Sequence, residues 1–409
     1  MLKFDFNTIR TYFKFVIRIF VDFVGVFMPL PQVSKNQKTE INSIKRKKNI
    51  LIFNWRDTKH KFAGGAEVYI HELAKRWVEK RHHVTLFCGN DGKSSRNEVI
   101  EGVQIVRRGG FYFVYLWAFL YYILRFKGRY DLIIDCENGI PFFTPLYVDE
   151  PVYFLIFHVH QEVFFLSLIK PAAQFAAFLE KKVMPWAYQN IPILTISKSS
   201  KKQIRNIGFH TNKIEIICPG VELEKLKPSE KYPSPLILYL GRLKPYKSVD
   251  VLIKAFTKVS KKIPYAKLVI AGDGESRHEL KLLAKKLGIM NKIIFTGRIS
   301  EERKIKLMQE SWVLVNPSLM EGWGITTIEA NACGTPVVAS DVPGLRDSIK
   351  NPHTGLLVPY GNVNAFADKI VVLLKNEKIR NKMQRNCVEW ASFFSWNNSV
   401  RKSIKILDI

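Results

Sequence analysis

From residue 49 onward, short apolar runs alternate with longer stretches in which apolar positions recur every three to four residues. Asn49–Asn54, Val84–Cys88, Asp131–Asp135, Val152–Phe157 and Ile193–Ile196 read as buried strands, with a helix predicted over Ala66–Lys80. The stretch Leu226–Pro235 (LKPSEKYPSP) carries three prolines and reads as a linker. The alternation then restarts. Strands are predicted at Leu236–Leu240, Lys267–Ala271, Ile293–Phe295, Val313–Val315, Pro336–Ala339 and Gly355–Val358. Helices fall between them at Val249–Lys261, Arg277–Leu287, Glu301–Glu310 and Ile325–Ala332. Strands alternating with helices predict parallel sheets covered on both faces, hence an α/β fold. Two doubly wound, Rossmann-like domains are expected to face each other across a cleft, with ligands at the carboxyl ends of the strands. The predicted boundaries are 1–48 for an N-terminal extension, 49–230 and 231–392 for the domains, and 393–409 for a C-terminal helix that crosses back to the first domain.

The extension breaks this pattern. Residues 1–31 are apolar and aromatic, but Arg10, Lys14, Arg18 and Asp22 interrupt them before a bilayer-spanning length is reached. Lys14 and Arg18 share one helical face, and Phe13, Ile17, Phe20 and Phe27 can share another. The run Lys45-Arg46-Lys47-Lys48 follows, and residues 1–48 hold ten basic against three acidic residues. Such a helix fits the interface of an anionic membrane, the plain alternative being packing on the domain behind it. A second aromatic stretch, Phe111–Leu124, is too short to span and reads either as core or as a lipid-facing patch.

Composition narrows the picture. The 409 residues are 47% hydrophobic and 24% charged, which excludes a disordered or collagen-like chain. A net charge of +27 favours an anionic partner. The five cysteines are scattered, with no CxxC pair, which argues against a disulfide framework or structural zinc.

The chemistry concentrates at strand ends. Gly241 exits the first strand of the second half, and Arg242 and Lys247 follow, a planar fork and a compact charge suited to a diphosphate. After Val313–Val315 comes Glu321-Gly322-Trp323-Gly324-Ile325-Thr326-Thr327-Ile328-Glu329. There Glu321 can accept hydrogen bonds from sugar hydroxyls, and Gly322 and Gly324 let a ligand approach the backbone. The helix starting near Ile325 and Thr326 points its partial positive charge at a phosphate, and Glu329, two turns on, is placed to reach ribose hydroxyls.

The stretches Gly241–Lys247, Ala271–Gly274, Phe295–Ser300, Asn316–Ser340 and Thr354–Pro359 together resemble glycosyltransferase family 4. The resemblance covers nearly everything from residue 49 to 400, and implies the GT-B fold, a nucleotide-activated sugar donor and retention of anomeric configuration. Gly64-Gly65 is similar to the family's N-terminal glycine loop, while Glu67 reads as an early-helix residue favoured by the dipole. His158 resembles the family's active-site histidine. His160 is the alternative, and which of the two faces the donor stays open at this point. Glu162 reads as structural or acceptor-side. His-x-His could also ligate a metal, but no neighbouring Cys or acidic triad is visible in sequence to complete such a site.

The expected function is therefore transfer of a sugar from a nucleotide diphosphate sugar to a lipid-linked or cell-envelope glycan. The assigned catalytic residues are His158, Arg242, Lys247 and Glu321. No metal and no other cofactor is expected, and the site is placed at the cytoplasmic face of a membrane. A sugar-nucleotide epimerase and a non-catalytic nucleotide-sugar-binding subunit are the rival readings. A glycosidase carboxylate pair is disfavoured because Glu329 is assigned to ribose, and nucleic-acid binding because charge alone supports it.

Overall fold

The computed structural model describes residues 47–210 and 213–409. The amphipathic extension expected over 1–48 therefore lies almost wholly outside the described residues.

The first unit is built on an eight-stranded sheet: β1 (Asn49–Phe53), β2 (His83–Cys88), β3 (Asn97–Ile100), β4 (Val103–Arg107), β5 (Leu132–Glu137), β6 (Val152–Ile156), β7 (Ile193–Thr195) and β8 (Ile214–Ile216), in the order β3-β4-β2-β1-β5-β6-β7-β8. Parallel register pairs Ile50 of β1 with Val84 on one side and Leu132 on the other. β3 runs antiparallel to β4, as a hairpin. β3 escapes the sequence pattern because Asn97–Ile100 is half exposed on this edge and shows no apolar run, and β4 escapes it although it is largely buried.

The second unit has six strands: β9 (Leu236–Leu240), β10 (Lys267–Ala271), β11 (Ile293–Gly297), β12 (Val313–Asn316), β13 (Val337–Ser340) and β14 (Gly355–Val358), ordered β11-β10-β9-β12-β13-β14. This is the doubly wound order 3-2-1-4-5-6, whose direction of winding reverses between β9 and β12. The first unit reverses between β1 and β5.

Burial explains the strands. The central residues of β1, Ile50 to Phe53, are fully buried, as suits a sheet covered on both faces. In the second unit, the helix Val249–Lys262 turns Leu252, Phe256 and Val259 onto the sheet, and Phe366, Ile370 and Leu373 of the helix Val363–Lys375 join the same core.

Phe111–Leu124 is both core and surface. A helix over Val114–Tyr121 buries Val114, Trp117, Ala118 and Tyr121, while Tyr112, Leu116 and Phe119 are exposed.

The predicted boundary at 230/231 is corrected. The second unit comprises Ile196–Gln203 and Ile216–Arg401, and within it Val221 N donates to Phe394 O at 2.8 Å and Lys231 Nζ donates to Thr335 Oγ1 at 2.6 Å. The proline-rich stretch is thus packed on its own domain and is not a free linker. Lys402–Ile409 belongs to the first unit, where Ser403 Oγ accepts from Trp77 Nε1 at 2.9 Å and the Ile406 carbonyl accepts from Tyr153.

Candidate active site

In the second unit, the loops leaving β9 and β12 flank the point where the sheet reverses. They are tied together by the Leu319 amide, which donates to the Tyr246 carbonyl at 2.8 Å. That tether brings Lys247 to Glu321, with Nζ 2.5 Å from Oε1. Oε1 also accepts from Asn316 Nδ2 at 3.4 Å and lies 3.1 Å from Ser318 Oγ, which donates to Asn316 Oδ1 at 2.6 Å, and Oε2 takes part in none of these contacts. Arg242 is exposed beside them, with Nη2 3.4 Å from the Tyr246 hydroxyl.

The helix Ile325–Ala332 begins at Gly324, which has φ +78°. A side chain there would be strained, and its Cβ would sit 2.6 Å from Leu345 Cδ2. Thr327 Oγ1 closes the first turn by donating to the Gly324 carbonyl at 2.7 Å. Ile325 and Thr326 stay partly exposed beside Gly322 and Glu321, at a helix start whose first-turn amides have no intrahelical acceptor. Arg242, Lys247, Glu321, Gly322, Gly324, Ile325 and Thr326 are thus gathered at one end of one sheet.

Glu329 faces a different partner from the one its position suggests. Its Oε1 lies 2.6 Å from Lys304 Nζ, on the helix Glu301–Glu310, with both side chains largely covered. Burial pushes the Glu329 carboxyl above its usual range, against the pull of Lys304. Any ribose contact by Glu329 would therefore involve a carboxylate already held by Lys304.

In the first unit, Gly64 precedes the helix Gly65–Glu79. Glu67 Oε2 accepts from the Gly64 amide at 2.7 Å, and its other oxygen accepts from Arg56 Nε at 2.8 Å and Asn138 Nδ2 at 2.9 Å. Glu67 is buried and holds the glycine loop in place. A Cβ on Gly65 would meet no atom within 4 Å, so packing does not demand a glycine there.

Burial separates the two histidines beyond β6. His160 is buried, with Nδ1 3.1 Å from Glu137 Oε1 and 3.6 Å from Glu180 Oε1, and its amide donates to Glu180 at 2.5 Å. Burial alone would lower its pKa, but the two carboxylates outweigh it and push it up to about 10. His160 is thus packed against a pair of buried acids. His158 is only half buried, its ring 4.0 Å from that of His160.

The expectation that no acidic groups stand near the His-x-His run is corrected. Potential ligand atoms of Glu137, His160 and Glu180 lie within 4.8 Å of one another, the donor set of a metal site. Two backbone amides already bond to these carboxylates, Gly139 N to Glu137 and His160 N to Glu180. Sequence offered two weak signals for this grouping: an acid ending a buried strand (LIIDCE) and a lone acid in an apolar helix (FAAFLE). Lys304 and Ser318 gave no local signal.

Two family descriptions match the chain, Glycosyltransferase Family 4 over residues 63–225 and Glycosyl transferases group 1 over residues 222–390. An uncharacterized glycosyltransferase of Methanocaldococcus jannaschii is 32% identical over 242 residues, 54% of this chain and 61% of that protein. The chain spans about half the length of other curated relatives it matches. Among solved structures, sucrose-phosphate synthase from Thermosynechococcus elongatus superposes with a TM-score of 0.76 at 21% identity, over 88% of this chain and 98% of that one. HepE of Anabaena, in complex with UDP and glucose, gives 0.70 at 16% identity, over 88% and 99%. Two Rossmann-like units of this order define the GT-B class. The chain belongs to glycosyltransferase family 4.

Proposed function

We propose that the protein transfers a sugar from a nucleoside diphosphate sugar to an acceptor with retention of configuration and without a metal. The observation that carries this is the convergence of Lys247, Glu321, Arg242 and the Gly324–Thr326 helix start at the switch point of the second sheet. Arg242 and Lys247, with the first-turn amides, neutralise the leaving diphosphate, the electrostatic task that a metal performs elsewhere. Glu321, anchored through Oε1, offers Oε2 to the sugar hydroxyls. Gly64 and Gly65 let the backbone approach the donor or acceptor, and the half-buried His158 donates a hydrogen bond to the reacting sugar. The departing phosphate oxygen takes the acceptor's proton as the new glycosidic bond forms on the same face. Uridine is the favoured base, supported by the UDP bound to HepE.

The acceptor is a lipid-linked or cell-envelope glycan, reached by peripheral attachment to the cytoplasmic face of a membrane. The basic extension supports this. Among the described residues no helix is long and apolar enough to cross a membrane. The test is a screen of UDP-, GDP- and ADP-sugars by ligand-induced thermal shift, followed by anomeric analysis of the product. No shift with any donor, or a product of inverted configuration, rejects the reading.

A further inference from the structure

The segment that follows His160 carries an apolar surface that the reaction does not use. A helix over Gln161–Ser167 turns at Leu168-Ile169 into a second helical stretch, Lys170–Phe178, which continues through Leu179–Val183 to Met184–Ala187. Its inner stripe is regular: Ala173, Ala176, Glu180, Met184 and Tyr188 are all buried. Its outer stripe repeats with the same spacing, as Phe175, Phe178, Lys182 and Trp186. There Phe175 is 61%, Phe178 55% and Trp186 62% exposed, and Ile169 at the turn is 78% exposed. A helix apolar on both faces has a second partner to meet.

Charge identifies that partner. Among the described side chains of 161–188, the exposed charged ones are Lys170, Lys181 and Lys182, all cationic. The one described acid, Glu180, turns inward to the His160 amide and to Gln161 Nε2, each at 2.5 Å. Lys182 lies within the aromatic stripe itself, between Phe178 and Trp186. A protein partner would have to desolvate that ammonium at the centre of its contact, where charged residues are depleted. A lipid surface instead takes the rings at headgroup depth and gives the lysines phosphates to meet.

Resting on the membrane reading above, we propose that the helical hairpin 161–188 is the surface through which the first domain docks on an anionic lipid bilayer. It would present the bilayer to the elements that carry His158, since Glu180 on the hairpin's inner face holds the backbone of the loop after β6.

The test compares the full chain with Phe175→Ser/Phe178→Ser/Trp186→Ser, with Lys181→Glu/Lys182→Glu, and with a control at the other exposed patch, Leu116→Ser/Phe119→Ser. Each is sedimented with vesicles of equal parts phosphatidylcholine and phosphatidylglycerol, and its thermal shift with UDP is measured alongside. The expected result is a bound fraction lower by about tenfold or more in both hairpin variants and little changed in the control, with the UDP shift kept throughout. Should the triple variant not fold, the lysine variant decides alone. If the hairpin variants pellet like the wild type, the hairpin assignment is wrong and the membrane reading stands on another surface. If the wild type itself does not pellet, the membrane reading fails and the hairpin falls with it. If the wild type is a dimer that the triple variant dissolves, without vesicle binding, the stripe is a contact between copies and the proposal is overturned.

Discussion

The Lys247 ammonium lies 2.5 Å from the Glu321 carboxylate, 74 positions later in the chain, and the loops that carry them are joined backbone to backbone at Leu319 and Tyr246. Each side chain is thus held by the other, and in the proposed function the cation meets the diphosphate and the carboxylate the sugar. Pre-positioned charges cost no reorganisation when charge develops on the leaving group.

Replacing either donor-site cation should therefore weaken donor binding more than it weakens the fold. Arg242→Ala and Lys247→Ala each remove a charge-assisted contact worth about 1.5–3 kcal/mol, or roughly 10- to 150-fold in Kd. Lys247→Ala should show the larger loss, because it also strips Glu321 of its counter-charge. Calorimetric titration with UDP-sugars checks this, and a double variant with wild-type turnover would reject the phosphate assignment.

Activity should survive chelation. In the proposed function the cations that neutralise the diphosphate, Arg242 and Lys247, belong to the chain, and the Glu137–His160–Glu180 grouping plays no part in the reaction. Turnover before and after EDTA measures this. Complete loss, restored by Mg²⁺ or Mn²⁺, would place an ion in the reaction.

Much of this arrangement was legible in the sequence, and the reason is local. Strands β9, β10 and β14 fall where their apolar runs place them, and the helices Glu301–Glu310 and Ile325–Ala332 fall where their spaced apolar residues place them, although the first buries only Leu307 and Met308. The donor loops are likewise contiguous in sequence, so glycines and charges at strand ends mark them. What could not be read is pairing across the fold. Lys304 meets Glu329 from a separate helix, and Glu137 and Glu180 meet His160 from a strand and a helix on either side of it. Only the sheet order brings such residues together. The β3–β4 hairpin was missed for the opposite reason, since its edge strand is too exposed to show a pattern.

The His160 triad makes stability depend on alkaline pH. The folded pKa of about 10 lies above the unfolded value near 6.5, so the stabilisation is complete below about pH 6.5 and is lost as pH rises through 10. The raised pKa of Glu137, caused by its burial, acts in the same direction. Unfolding free energy from urea titrations should fall across that window, at no more than about 1.4 kcal/mol per pH unit for the one proton. His160→Gln should be less stable at pH 7 and should flatten the slope. An unchanged slope in the variant would show that His160 is neutral in the native protein.

Gly344 offers a test of the donor loop that leaves every charged group in place. It has φ +80°, and a Cβ built on it would lie 2.2 Å from the Glu321 carbonyl oxygen and 2.8 Å from the Gly322 carbonyl carbon. Backbone atoms cannot swing aside as a long side chain can, so Gly344→Ala must displace the 321–322 segment or strain its own turn. Stability should fall by about 1–3 kcal/mol, read from the urea midpoint at unchanged m-value. Donor affinity should fall further than that local strain alone requires, because the shift carries the Glu321 carboxylate away from Lys247. The conservative comparison is Gly361→Ala. That glycine also has positive φ, at +75°, but a Cβ there meets nothing within 4 Å, so strain is present without the clash. If both variants lose donor affinity equally, the loss tracks general destabilisation and not the position of the Glu321 loop. If only Gly344→Ala loses it, the contact between Gly344 and the Glu321 carbonyl sets the geometry of the donor site.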